Sequence, residues 1–175
     1  MRKLKLNELN RIDEKAFKSA TKAPIKMILD NIRSGHNVGS AFRTADAFRL
    51  DEVLLCGITP KPPHREILKT ALGADESMAW RSGDAKQFIE EFKKDGYKIY
   101  AVEQTDSPIL LQSFLCNSTD KIALIFGNEV KGVDSKLLPY VDGSIEIPQH
   151  GTKHSFNVSV SMGIVLWELC RKRDY

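Results

Sequence analysis

Short apolar runs alternate with amphipathic stretches along almost the whole chain. The runs "IKMILDNI" (25–32), "DEVLLCGI" (51–58), "YKIYAVEQ" (97–104), "KIALIFG" (121–127) and "SIEIP" (144–148) have strand length and β-branched or aliphatic content. Between them, "NVGSAFRTADAF" (37–48), "REILKTAL" (65–72), "AKQFIEEFKKDG" (85–96) and "DSKLLPYV" (134–141) read as helices. Lys93 and Lys94 fall in the last turn of the third of these, with Gly96 placed to terminate it. At the start, Asn7 is a candidate cap for a helix whose stripe is Leu9, Ile12, Ala16 and Phe17. "TPKPPH" (59–64) is a loop. One stretch conflicts with itself. In "HSFNVSVSMG", Ser155, Asn157, Ser159 and Ser161 alternate with Phe156, Val158, Val160 and Met162, a strand-like period, directly before the buried-helix pattern "IVLWELCRKR".

Strands alternating with helices predict an α/β fold, a mainly parallel sheet flanked by helices in a single domain. Ligands of such sheets bind beyond the carboxyl ends of the strands. That rule selects the loops after Asp30, Val102, Phe126 and Ile147 as the place for chemistry.

Composition narrows the class without naming it. With 42% hydrophobic and 28% charged residues the chain is an ordinary globular one, with no apolar run of membrane-spanning length and no signal-peptide core. Cys56, Cys116 and Cys170 are odd in number and far apart, which fits buried reduced thiols and an intracellular, cytoplasmic setting. The net charge of +3 is modest, but basic residues gather at the ends: Arg2, Lys3, Lys5, Arg11, Lys15, Lys18, Lys22 and Lys26 at one, Arg171, Lys172 and Arg173 at the other. Such ends suit phosphate contacts as well as solvated helix faces.

Several chemistries are excluded. "GNEVKGVDS" has phosphate-loop glycine spacing, but Val133 and Asp134 stand where Lys and Ser or Thr are needed, and no dinucleotide Gly-x-Gly-x-x-Gly occurs. His150 and His154 lack paired cysteines or an acidic third ligand, so no metal is expected. His154 beside Ser155 lacks the Gly-x-Ser-x-Gly turn of an acyl-transfer nucleophile.

The selected loops carry a resemblance. "DNIRSGHNVGSAFRTADAF", "LIFGNEVKGV" and "IEIPQHGTKHSFNVSVSMGIVLW" resemble, in order, the three motifs of the SpoU (TrmH-type) branch of the SPOUT RNA methyltransferases. The resemblance spans residues 30–167 and implies S-adenosylmethionine-dependent methylation of a ribose 2′-hydroxyl in RNA. It also implies a homodimer and a C-terminal trefoil knot, a threaded topology that periodicity does not predict. A SPOUT methyltransferase domain over 24–175 and a basic helical extension over 1–23 follow. With so small a prelude, tRNA is favoured over rRNA. The alternatives are a knotted RNA-binding module without catalysis and methylation of a base rather than a ribose.

The resemblance assigns the catalytic set to Arg43, Asn37, Glu129, Ser155 and Asn157. Methyl transfer to a hydroxyl needs alignment and stabilisation of negative charge growing on the oxygen. Arg43, which the family's matching arginine nominates for activating that hydroxyl, suits charge stabilisation and a phosphate contact better than proton abstraction, because a guanidinium stays protonated. Glu129 is expected to hold Arg43 or Asn37. Gly127, Asn128, Gly132, Ile147, Pro148 and Phe156 are expected around the cofactor, with Glu103 and Gln104 bounding the same slot. The alternating row then reads as a cofactor loop running into a helix, with Ser155 and Asn157 near its N-terminus and Ser159, Ser161 and Gly163 as a packing surface.

Overall fold

The computed structural model describes residues 1–173. Seven parallel strands form one sheet: β1 (Ala23–Asp30), β2 (Leu50–Cys56), β3 (Trp80–Gly83), β4 (Lys98–Val102), β5 (Ile109–Leu110), β6 (Ile122–Phe126) and β7 (Gly143–Glu146), ordered β3-β2-β1-β6-β4-β7-β5. Six helices accompany it: α1 (Glu14–Ser19), α2 (Gly35–Ala47), α3 (Arg65–Ala71), α4 (Ala74–Ser77), α5 (Ala85–Lys94) and α6 (Val158–Lys172).

Both faces of the sheet are covered, which is why its central strands read as continuous apolar runs. Successive side chains of β1 go to opposite sides: Ile25, Met27 and Leu29 pack with Val38, Phe42, Met162 and Leu166 of α2 and α6, while Ile28 packs with Phe88, Ile89 and Phe92 of α5. β6 repeats the division, Leu124 and Phe126 to one side and Ala123 and Ile125 to the other. From β1 the chain proceeds outward through β2 to the β3 edge, then crosses to β4 on the far side of β6. The crevice at a parallel sheet's strand-order reversal therefore opens at the carboxyl ends of β1, β6 and β4.

The ends of the chain differ from expectation. Asn7 caps no α-helix: residues Leu6–Glu8 form a single 3-10 turn, Asn10 takes a left-handed φ of 49°, and α1 begins only at Glu14, capped by Asp13 accepting from Ala16 N. Leu9 and Ile12 are exposed, and of the proposed stripe only Phe17 is buried. The helix predicted over 134–141 is a 3-10 turn at Leu138–Tyr140, because Pro139 removes a backbone donor in mid-segment. Cys116 is only half-buried, unlike Cys56 and Cys170. The edge strands β3 and β5 went unpredicted. The first is exposed along most of its length and the second has two residues, so neither shows an apolar period. Among the described residues no helix is long and apolar enough to cross a membrane.

Candidate active site

Three loops meet where β6, β4 and β7 end. After β6 the chain makes a tight loop in which Asn128 and Gly132 exchange both backbone hydrogen bonds at 2.9 Å. Two glycines permit it. A Cβ on Gly127 would lie 2.1 Å from the Gly132 carbonyl carbon, and Gly132 has φ +71° with a virtual Cβ 2.2 Å from Glu103 Oε2. The Asn128 side chain is spent on the same fold: Oδ1 accepts from Val130 N and Lys131 N, and Nδ2 donates to Asn31 O. Glu103, just past β4, braces the loop's far side, its carboxylate accepting from Val133 N and Gln104 N at 2.9 Å each. Asp30, at the end of β1, accepts from Asp134 N at 2.9 Å. Burial holds the Asp30 carboxyl above the ordinary aspartate range in spite of that bond.

Glu129 closes the other side. Its Oε2 accepts from Arg33 N at 2.9 Å, and its Oε1 from Ser34 N at 3.1 Å and Asn37 Nδ2 at 2.8 Å. These donors surround the N-terminus of α2, where Ser34 is the cap, so the carboxylate also meets the positive end of that helix. Burial alone would raise the Glu129 pKa, but the bonds from Arg33, Asn37, its own amide and Ser34 outweigh it and leave the carboxyl below its usual value.

The carboxylate sets the direction of a longer chain of bonds. A carboxylate only accepts, so Asn37 turns its amide nitrogen to Glu129 and its oxygen outward. Asn157 Nδ2 donates to that oxygen at 3.4 Å, which leaves Asn157 Oδ1 to accept from Ser159 N at 2.8 Å and cap α6. Glu129, Asn37 and Asn157 thus tie the N-termini of α2 and α6 to the loop after β6.

Between these walls lies a cavity of about 580 Å³, of the size that binds small molecules. Val102, Ile145, Ile147, Phe126 and Phe156 give it apolar sides, and Gln104, Glu129, Gln149, Ser155 and Asn157 give it polar edges. Gln104 Nε2 donates to His154 O at 3.1 Å, pinning the 149–157 loop across one side. Apolar walls and polar edges suit a nucleoside-sized ligand with flat apolar faces and hydrogen-bonding rims.

Of the residues nominated from sequence, Glu103, Gln104, Gly127, Asn128, Glu129, Gly132, Ile147, Ser155, Phe156 and Asn157 all line this cavity. Asn37, only 8% exposed, stands behind Glu129. Pro148 is not among the lining residues, and β7 ends at Glu146, so Ile147 and Pro148 follow the strand rather than end it. Arg43 is elsewhere. It is exposed on α2, six residues beyond Asn37, in a separate depression with Ser40, Thr44, Lys69 and Thr70, and Glu129 makes no contact with it. Sequence reasoning missed Gln149, Val158 and Ser161 as lining residues, and Ser34 and Asp30 as anchors. Ser34 did leave a signal, a cap-type residue three before Asn37.

A family model described as the SpoU rRNA methylase family matches residues 24–167. The chain belongs to this family. This SpoU-family chain is 31% identical over 161 residues to the 23S rRNA (guanosine-2'-O-)-methyltransferase RlmB of Neisseria meningitidis, covering 91% of this chain and 63% of that protein. It is 29% identical over 146 residues to the tRNA (guanosine(18)-2'-O)-methyltransferase of Borreliella burgdorferi, covering 83% of this chain and 65% of the other. Of both relatives it spans less than two-thirds of the length. The crystal structure of the A. aeolicus TrmH/SpoU tRNA modifying enzyme superposes with a TM-score of 0.80 at 25% identity, covering 92% of this chain and 81% of that one. The AdoMet-bound rRNA methyltransferase from Sinorhizobium meliloti shares the fold, with a TM-score of 0.79 at 24% identity over 89% of this chain and 59% of its own.

Proposed function

We propose that this SpoU-family chain is an S-adenosylmethionine-dependent RNA methyltransferase acting on a ribose 2′-hydroxyl. The observation that carries the reading is the 580 Å³ cavity at the carboxyl ends of β6, β4 and β7, walled by residues of the second and third motifs and tied to the first by the Glu129–Asn37–Asn157 relay. Bound there, S-adenosylmethionine would supply an electrophilic methyl group. The Gly127 and Gly132 backbone, Ile147 and Phe156 would hold its adenosine, and Gln104 would keep the 149–157 loop closed over it.

The chain's remaining task is to present the hydroxyl and to stabilise the oxygen as it loses its proton. Arg43 performs the second part by placing a fixed positive charge beside the oxygen. It keeps its own proton throughout, so the hydroxyl's proton passes to another acceptor, for which a neighbouring RNA phosphate is suited. Arg43 stands outside the cavity of its own chain, so the reaction requires a second copy that brings its Arg43 to this cavity. The outer face of α6 supports such a homodimer: Val160 and Trp167 lie seven residues apart on one stripe, and Trp167 is 63% exposed.

tRNA is the favoured substrate over rRNA, supported by the likeness to the A. aeolicus tRNA modifying enzyme over nearly the whole chain. Residues 24–175 form the methyltransferase domain, knotted at its C-terminal end, preceded by a basic extension at 1–23; the protein works in the cytoplasm. The position of Arg43 is also the one observation that favours a non-catalytic RNA-binding module. Calorimetry with S-adenosylmethionine followed by transfer of a labelled methyl group to bulk RNA separates the two. Binding with transfer supports the enzyme, binding without transfer the module, and no binding refutes the enzyme.

A further inference from the structure

The basic residues that sequence singled out at the C-terminus are spent inside the molecule. Lys172 Nζ donates to the carbonyls of Leu111, Gln112 and Phe114, Arg171 pairs with Glu168, and Arg173 is buried with a bond to Asp120 O. At the other end, Arg2 is paired with Glu8 and Lys18 with Glu14. Among the described residues, exposed cations with no ion pair include Lys3, Lys5, Arg11 and Lys15 near the N-terminus and Arg43, Arg65 and Lys69 on α2 and α3. His36, Ser40 and Arg43 recur at four and three residues on one face of α2, and Arg65 and Lys69 are four apart on one face of α3.

The two helices are pressed together where glycine allows it. A Cβ on Gly39 would fall 2.1 Å from Thr70 Oγ1 and 2.4 Å from Ile67 O, and Thr70 Oγ1 donates to His36 O at 3.0 Å. The contact brings Arg43 of α2 and Lys69 of α3 to one depression, lined also by the hydroxyl-bearing Ser40, Thr44 and Thr70 and by Ala47 and Phe48. Glu66, one residue past Arg65 on α3, faces His36 at 3.6 Å. Two cations among hydroxyl groups, open to solvent, match a phosphodiester, whose oxygens accept hydrogen bonds and carry charge. The depression follows α2 away from Ser34 and Asn37, which lie against the cavity-lining Glu129.

We propose that the α2–α3 groove, with Arg43 and Lys69 lining it and Arg65 extending the face of Lys69, is where the backbone of the substrate RNA docks. This rests on the methyltransferase reading and names the surface that carries the RNA. Lys69 is a docking residue in it, distinct from the residues that hold the methyl donor.

The test measures binding of end-labelled unfractionated bacterial tRNA, and separately ribosomal RNA, across a salt series. It compares the wild type, Lys69→Ala, Arg65→Ala, the double variant, Lys69→Arg, and Lys93→Ala on α5 as a control outside the groove. Each lost phosphate contact should flatten the slope of log affinity against log salt by about 0.7–0.9. Affinity at moderate salt should fall roughly three- to ten-fold per contact, with KM raised, kcat held, and S-adenosylmethionine affinity unchanged. Lys69→Arg should bind as the wild type does, and so should Lys93→Ala. Unchanged slope and KM in the double variant of an active enzyme would overturn the groove and leave the methyltransferase reading standing. A loss of affinity with no change of slope would also overturn it, since the contact would not be to phosphate. A wild type that binds methyl donor but neither RNA would remove both readings.

Discussion

Replacing Glu129 by glutamine tests the joint on which the cavity is built. The carboxylate accepts from Arg33 N, Ser34 N and Asn37 Nδ2. A glutamine keeps one acceptor oxygen but turns an N–H₂ group towards a backbone N–H. One charge-assisted bond is lost, worth about 1.5–3 kcal/mol, together with about 0.5 kcal/mol for the charge at the positive end of α2. The expected destabilisation is about 2–3 kcal/mol, or roughly 5–10 °C in Tm for a domain of this size. The effect has a pH signature. Because the folded-state pKa of Glu129 is lowered, its contribution is complete above the unfolded glutamate value of about 4.3 and is lost as pH falls from there through the folded value. The Tm gap between wild type and Glu129→Gln, measured by thermal unfolding from pH 7 to pH 3, should therefore hold at neutral pH and shrink on the acid side. A variant within 1 °C of the wild type at pH 7, or a gap that stays constant down to pH 3, would refute the argument that an ionised carboxylate joins α2 to the cavity loop.

Four further outcomes follow from the structure. Gly127→Ala places a Cβ against the Gly132–Val133 backbone and should cost about 3 kcal/mol or more. Gly151→Ala, with open space around it, should unfold within a degree or two of the wild type in the same thermal assay. Gln104→Ala frees His154 O from its pin and should weaken S-adenosylmethionine binding several-fold by calorimetry with Tm little changed; equal affinity would show that the 149–157 loop closes without it. Trp167→Glu should shift the protein towards monomer in analytical ultracentrifugation and abolish methyl transfer while leaving methyl-donor binding intact, since only the second copy's Arg43 is lost.

The layered α/β order was legible because it rests on local signals. β1, β2, β4 and β6 are aliphatic runs of strand length, and α5 carries its own stop in Lys93, Lys94 and Gly96. The short or exposed pieces were not, because β3 and β5 are held in place by neighbouring strands rather than by a hydrophobic period of their own. The alternating row from Ser155 to Met162 misled for a related reason. Its first residues are exposed loop, and from Val158 the same residues form helix because Asn157 caps it, so the period of two was coincidence. At the site, the rule that ligands sit beyond strand ends found the right loops. It could not reveal that Glu129 reaches back to α2, or that Asn128 Nδ2 is spent on Asn31 O, because both are bonds of tertiary structure. Arg43 shows the limit most clearly: Asn37 is buried, and six residues on, at 3.6 residues per turn, Arg43 lies about 120° round the helix from it and is exposed.

The central claim is ribose methylation by this cavity, and product identity tests it most directly. Purified protein would be incubated with isotopically labelled S-adenosylmethionine and RNA lacking the modification, and the RNA digested to nucleosides for mass spectrometry. The account predicts label in a 2′-O-methylated nucleoside, with the signal lost in Arg43→Ala although that variant still binds the methyl donor. Label in a base-methylated nucleoside, or equal ribose methylation by Arg43→Ala, would contradict it.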